Sequence, residues 1–226
     1  MRINDDLSKP VIVHAARLDW VKSPAAGIER RMLYRVGDEV ARATSIVRYA
    51  AGSAFPPHSH DGGEEILVLD GTFQDEHGDY PAGTYFRNPP GTSHSPASAE
   101  GCTIFVRLWQ FRLGDLAQVV RRPGEGKAAP LRQGVDAARI LFEDAVEYVG
   151  IEEWLPGAPM KIENEDGLEF LVLRGGLVLN GEKLDEQSWG RLPAGQAFNA
   201  VARSGGARIW LKRAPLGHPD ILRMPE

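Results

Sequence analysis

The chain has 226 residues, 42% of them hydrophobic and 25% charged, with a formal net charge of −5. That length suits one large or two small domains, and an acidic balance without a Lys/Arg-rich run excludes nucleic-acid binding through a basic surface. The start, Met1-Arg2-Ile3-Asn4-Asp5-Asp6, lacks the apolar core of a signal peptide, no apolar run is long enough to span a bilayer, and the single Cys102 can form neither an internal disulfide nor a cysteine zinc site, so a cytoplasmic protein without membrane partners is expected.

The 25 glycines and 16 prolines are scattered among apolar runs, which points to short strands joined by turns. Val11-Ile12-Val13-His14 reads as an N-terminal strand. Residues 27–34 and 41–50 follow as strands, the second rich in β-favouring residues, with a turn at Gly37-Asp38-Glu39. Pro56 and Pro57 hold an extended approach to His58. Asp61-Gly62-Gly63 is a tight turn, and Glu64 to Leu69 is a strong strand closed by Asp70-Gly71. Further short strands at 73–76, 85–87 and 103–111 give turns about every 8 to 12 residues, the pattern of an all-β sandwich or barrel. Residues 117–122 read as a short helix or a strand end.

Residues 123–130 form a proline-flanked, glycine-bearing linker. Beyond it the pattern repeats. Glu169 to Gly176 echoes Glu64 to Gly71 at an offset of 105, and Arg191-Leu192-Pro193-Ala194-Gly195 echoes Arg87-Asn88-Pro89-Pro90-Gly91 at 104. The echoes imply two duplicated domains, 1–122 and 123–226. At these offsets His58 maps to Glu163, His60 to Glu165, Glu64 to Glu169 and His94 to Phe198. The second copy keeps the scaffold and lacks the histidines, which marks the histidines as chemistry rather than folding.

His58 and His60 leave one face of a strand, and two converging imidazoles suit zinc, iron, copper or nickel. Glu64 returns from the next strand with an anionic oxygen, Glu65 being its neighbour and alternative. His94 follows the stiff Pro89-Pro90-Gly91 turn. Phe55, Leu67, Phe86 and Phe105 are expected to shape a pocket. His77 reads as a solvated loop residue, Cys102 as a buried structural thiol, and Arg87 and Arg191 as structural because both copies carry them. Glu163, Glu165 and Glu169 read as an ordinary strand face rather than a carboxylate site. No catalytic residue is assigned.

The spacing of Gly52, His58, His60, Glu64 and Gly71 resembles the first motif of the cupin family. Gly83, Pro89, Gly91 and His94 resemble the second, with Ser98 where the family often has asparagine. More narrowly, the run from Phe55 to Pro96 is similar to the cupin-like domain of ChrR anti-sigma factors. The resemblance implies a bicupin: two tandem double-stranded β-helix (jelly-roll) barrels, the first binding metal through His58, His60, Glu64 and His94, the second degenerate. It implies one divalent ion, Zn2+ foremost, with Fe2+, Mn2+ or Ni2+ as alternatives. It implies a regulatory, sensor-type protein; the same branch is similar to non-haem iron dioxygenases of dicarbonyl or hydroxyketone substrates, which is the alternative. Residues 1–50 read as strands without cysteine, unlike the anti-sigma zinc domain of ChrR, so sigma-factor binding is not carried over. A small-molecule ligand and a homodimer through edge strands are compatible with this reading.

Overall fold

Short runs of β-branched and aromatic residues, cut by glycine and proline, have only one economical outcome: antiparallel strands joined by tight turns. The computed structural model describes residues 1–225, and among them it has antiparallel strands, one 3-10 turn at Ala15–Arg17 and no α-helix. No helix is long and apolar enough to cross a membrane among the described residues.

Two compact units divide the chain. The first comprises Met1–Asp5, Asp19–Gly124 and the residues from His218 on; the second comprises Asp6–Leu18 and Glu125–Gly217. The division at Gly124 and Glu125 lies inside the linker expected from sequence, but the units are not contiguous. Val11–His14 pairs with Ser188–Pro193 and so belongs to the second unit. In the first unit Leu113 N donates to Asp220 O at 2.7 Å and Leu222 N to Phe111 O at 3.0 Å. The first addition closes a strand edge and the second satisfies backbone groups around the isolated bridge Arg112–Ile221, non-local requirements that no local pattern announces.

Both units follow one plan. The first sheet runs Arg2–Ile3, Ile28–Gly37, Ala41–Tyr49, Cys102–Leu108, Glu64–Asp75, Tyr85–Asn88, Val119–Arg121. The second runs Lys127–Ala128, Val135–Glu143, Tyr148–Trp154, Phe198–Arg213, Gly167–Leu179, Ser188–Pro193, Val11–His14. Residues 117–122, open between helix and strand in sequence, supply the strand Val119–Arg121. Each unit has its own apolar core. Phe73, Phe86, Ile66, Val68 and Ile104 pack in the first, and Phe170, Phe198, Trp154, Leu168 and Ile209 in the second.

Register corrects the sequence alignment of the repeats. Glu65 pairs with Arg87 and Glu169 with Arg191, while Gly71 pairs with Cys102 and Gly175 with Ala207. The long central strands therefore correspond at an offset of 104, not 105, and Glu169 is the counterpart of Glu65. The adjacent Gly175-Gly176 concealed this, because either glycine could close the echo. Backbone geometry decides between them. Gly71 has φ +69° and Gly175 φ +74°, and a Cβ would lie 2.2 Å from the Gly101 carbonyl oxygen and 2.3 Å from that of Gly206, respectively.

Gly71→Ala and Gly175→Ala should each destabilise the protein by about 2 kcal/mol or more, since the side chain meets both backbone strain and a fixed carbonyl. Gly205→Ala, where nothing lies within 4 Å, should stay within about 0.5 kcal/mol of the parent. Chemical denaturation of the three variants checks this; a Gly71→Ala midpoint equal to that of Gly205→Ala would contradict it.

Candidate metal centre

The strand His58–His60 pairs with Thr92–His94, setting His58 opposite His94 and His60 opposite Thr92. The carbonyl of His60 accepts from Gly63 N at 3.2 Å and Gly91 N at 3.0 Å. The Gly62-Gly63 turn and the Pro-Pro-Gly loop thus both hang from one strand. At Gly62 and Gly63 any Cβ would enter the rings of Trp109 and Phe111, at 2.0 and 2.4 Å. The turn closes tightly enough to return Glu64 beneath the histidines.

One ring nitrogen from each of His58, His60 and His94 lies within 4.8 Å of the others. Glu64 Oε2 lies 3.4 Å from His60 Nε2 and 3.3 Å from His94 Nε2. His60, Glu64 and His94 are buried and His58 is exposed. His58 Nδ1 donates to the Pro56 carbonyl at 2.9 Å, and His94 Nδ1 to Asp75 Oδ2 at 3.2 Å. These bonds fix both ring orientations and turn each Nε2 toward the centre, as the ligand nitrogen once it is free of its proton. The Nε2 atoms of His60 and His94 are buried without a hydrogen-bond partner, a costly condition that an ion between them and Glu64 would relieve. Three imidazole donors and one carboxylate are a donor set that fits a divalent transition ion.

The charges are coupled. Burial alone would raise the pKa of Glu64, but His60, then His94 and His58, outweigh it and hold it below the ordinary carboxylate value. Burial pushes His60 down. Burial also opposes the charge on His94, yet Asp75 and Glu64 carry it up to about 9.

Asp75 is the functional residue that sequence reading missed. Besides holding His94, it accepts from His77 N at 2.8 Å and Tyr80 Oη at 3.2 Å. It ends the strand Glu64–Asp75, where a carboxylate before a turn reads as an ordinary strand end, and only the return of His94 from another strand gives it a role. Glu65 is turned to the other face, ion-paired with Arg107 and accepting from Tyr85 Oη at 2.6 Å. His77 is exposed, Cys102 is buried with its thiol pushed up to about 11 by burial, and Arg87 is held by Asp115 at 2.7 Å.

A cavity of about 120 Å³ in the first unit reaches Glu64. Phe55 lines it as expected; Leu67, Phe86 and Phe105 do not. Ile104, Val106 and Leu108 take the inward positions instead. Phe105 lies between them in sequence and pairs with Leu67, so both face the opposite side of the sheet.

At the offset of 104, the counterparts of His58, His60, Glu64 and His94 are Ile162, Asn164, Leu168 and Phe198. Ile162 pairs with Phe198 just as His58 pairs with His94. All four are buried. This replaces the sequence mapping onto Glu163, Glu165 and Glu169. Glu163 and Glu165 are exposed, and Glu169 accepts from Trp189 Nε1 at 2.8 Å. Asn164 binds the carbonyls of Pro193 and Gln196 at 2.8 and 3.1 Å and accepts from Gly167 N at 2.9 Å. The second unit fills the position of the site with core.

Residues 8–112 match the family model of the ChrR cupin-like domain. None of the curated proteins matches the chain in sequence. Among solved structures, a candidate dioxygenase from Nostoc punctiforme aligns with a TM-score of 0.71 at 14% identity, covering 97% of this chain and 88% of its own. The bacterial pirin YhhW of Escherichia coli, solved in complex with nickel(II), aligns at 0.65 and 16% identity, covering 92% of this chain and 100% of its own. A cupin 2 conserved barrel domain protein from Leptotrichia buccalis aligns at 0.58 and 13% identity, covering 95% of this chain and 100% of its own. At these identities the likeness establishes the fold.

The raised pKa of His94 has a consequence for the metal-free protein. Its folded value, about 9, lies above its ordinary value of 6.5, so the stability it contributes is complete below about 6.5 and is lost as pH climbs through about 9. His60 is shifted the other way and acts below that window. The melting temperature of chelator-treated protein should therefore fall between pH 6.5 and 9, and His94→Asn should flatten the fall. An equally steep fall in the variant would assign the titration elsewhere.

Proposed function

We propose, from the premise that this chain belongs to the cupin superfamily and carries a ChrR cupin-like domain over residues 8–112, that it is a single-metal, sensor-type cupin. His58, His60, Glu64 and His94 hold one divalent ion, zinc foremost. One observation carries the reading: two buried Nε2 atoms without partners converge on the carboxylate oxygen of Glu64. Four protein donors are the complement of a closed zinc site, which favours structure or sensing over turnover. When bound, the ion supplies Lewis acidity. The protein's own residues orient the donors: Pro56 carbonyl for His58, Asp75 for His94, Asn88 Nδ2 at 3.4 Å for Glu64.

A second reading, a non-haem Fe(II) dioxygenase of a small dicarbonyl or hydroxyketone, is favoured by a separate observation. The cavity lined by Tyr49, Phe55 and Ile104 reaches Glu64, so a small molecule has room beside the centre. The dioxygenase description of the Nostoc protein and the nickel of YhhW are in keeping with a fold that takes more than one metal.

Elemental analysis of protein purified without added metal separates the two. One zinc per chain with no substrate-dependent oxygen uptake on a diketone panel is the expected result; iron with such uptake overturns the sensor reading. His94→Ala should lose the metal. Asp75→Asn should keep the fold and weaken metal affinity by about 10- to 100-fold, because it removes the group that orients His94.

A further inference from the structure

Strand parity gives the cavity of the first unit an unusual wall. Ala43, Ser45, Val47 and Tyr49 alternate inward along Ala41–Tyr49, and Ile104, Val106 and Leu108 along Cys102–Leu108. Strand Ile28–Gly37 contributes Ile28 and Arg30 on one parity and Arg35 on the other. The switch comes from the pairing shift between Met32 and Tyr34, where an extra residue re-aims the side chains that follow. Two arginines therefore line one small, largely apolar chamber.

Their charge is offset only from the exposed side, by Glu39 and Asp38. Arg35 is 4% exposed and donates from Nε to the Gly37 carbonyl at 3.2 Å. Arg30 Nε is buried with no hydrogen-bond partner among the described residues. Arg30 Nη2 approaches Glu39 Oε1 only to 3.7 Å, and that carboxylate is 72% exposed. Glu64, the one carboxylate on the cavity wall among the described residues, is engaged by His60 and His94.

Cross-strand rows link the arginines to the candidate centre. Glu64 pairs with Leu108, Leu108 with Ala43, and Ala43 with Arg35. Three strand spacings separate the ends of this row, roughly 14 Å between backbones, and one cavity is lined by residues from both ends. Val68, Ile104, Val47 and Arg30 form a second row. The second unit repeats both rows as Leu168, Arg213, Tyr148, Glu143 and as Val172, Ile209, Glu152, Ala138. It has Ala138 in place of Arg30 and Glu143 in place of Arg35. The unit that lacks the histidines also lacks both arginines, so scaffold needs do not explain them.

We infer that this cavity is a subsite for a small carboxylic acid of two to four carbons, its carboxylate held by Arg30 and Arg35 and its other end directed toward Tyr49 and Glu64. Guanidinium groups match a carboxylate's two oxygens, and the apolar walls suit a short carbon chain. The volume is in keeping: an apolar cavity of about 150 Å³ takes a benzene ring. The inference deepens the single-metal reading by naming the ligand class, and it depends on that reading only for what the far end of the ligand meets.

Calorimetric titration of the full chain with pyruvate, with its uncharged amide and with inorganic phosphate tests it, in chelator-treated and zinc-loaded protein alike. Pyruvate should bind at least tenfold more tightly than the amide or phosphate. Arg30→Gln should weaken pyruvate at least tenfold with metal content unchanged, and Arg30→Lys should recover part of the loss. Equal affinity for pyruvate and its amide in the parent protein, tighter phosphate binding, or parental affinity in Arg30→Gln overturns the subsite. The acid-against-amide comparison needs no variant to fold. Pyruvate selectivity in protein that never takes up metal would uphold the subsite and sink the metal reading; bound zinc without that selectivity would do the reverse.

Discussion

Two adjacent carboxylates on one strand face opposite ways, and much of the first unit follows from how each is neutralised. Glu65 turns to one side, where Arg107 and the Tyr85 hydroxyl satisfy it. Glu64 turns to the other, where it meets imidazoles and the Asn88 amide, with Tyr49 on the same cavity wall. A buried carboxylate needs a partner wherever it stands. The Glu65 side is preserved in the second unit, with Glu169 bonded to Trp189 and paired in register with Arg191. The Glu64 side is not preserved, and Leu168 takes its place. A one-residue step along a strand thus separates what both units need to fold from what only one unit carries.

That separation explains what was legible in the sequence. His58, His60, Glu64 and His94 could be read because their placement depends on local features: a period of two, a two-glycine turn and a rigid proline loop. The all-β architecture was legible from turn spacing for the same reason. The repeat was visible, but its register was not, because Gly175-Gly176 offers two ways to close the echo and only a positive φ against a neighbouring carbonyl selects one. Asp75 stayed hidden because its partner arrives from another strand. Arg30 and Arg35 stayed hidden because they have opposite parity, and the irregularity that brings them to one wall lies in the pairing with Ala41–Tyr49. The exchange of chain ends left no local trace either, since it answers the needs of distant backbone groups.

The two units also differ in how their interiors are stabilised. In the second, Ile162, Leu168 and Phe198 bury apolar surface at the positions of the site, each contributing about 1.5–3 kcal/mol relative to exposure. In the first, the same positions hold groups whose desolvation opposes folding until their charges meet: Glu64 drawn down by the histidines, His94 drawn up by Asp75 and Glu64. These charges offset one another, but two buried Nε2 atoms remain without partners. An ion that binds only the folded arrangement would add its binding free energy to the folding of that unit alone. The metal would then act as a structural element of one half of a duplicated chain, while the corresponding positions of the other half are filled by packing. This asymmetry, more than the donor set itself, is what the duplication contributes.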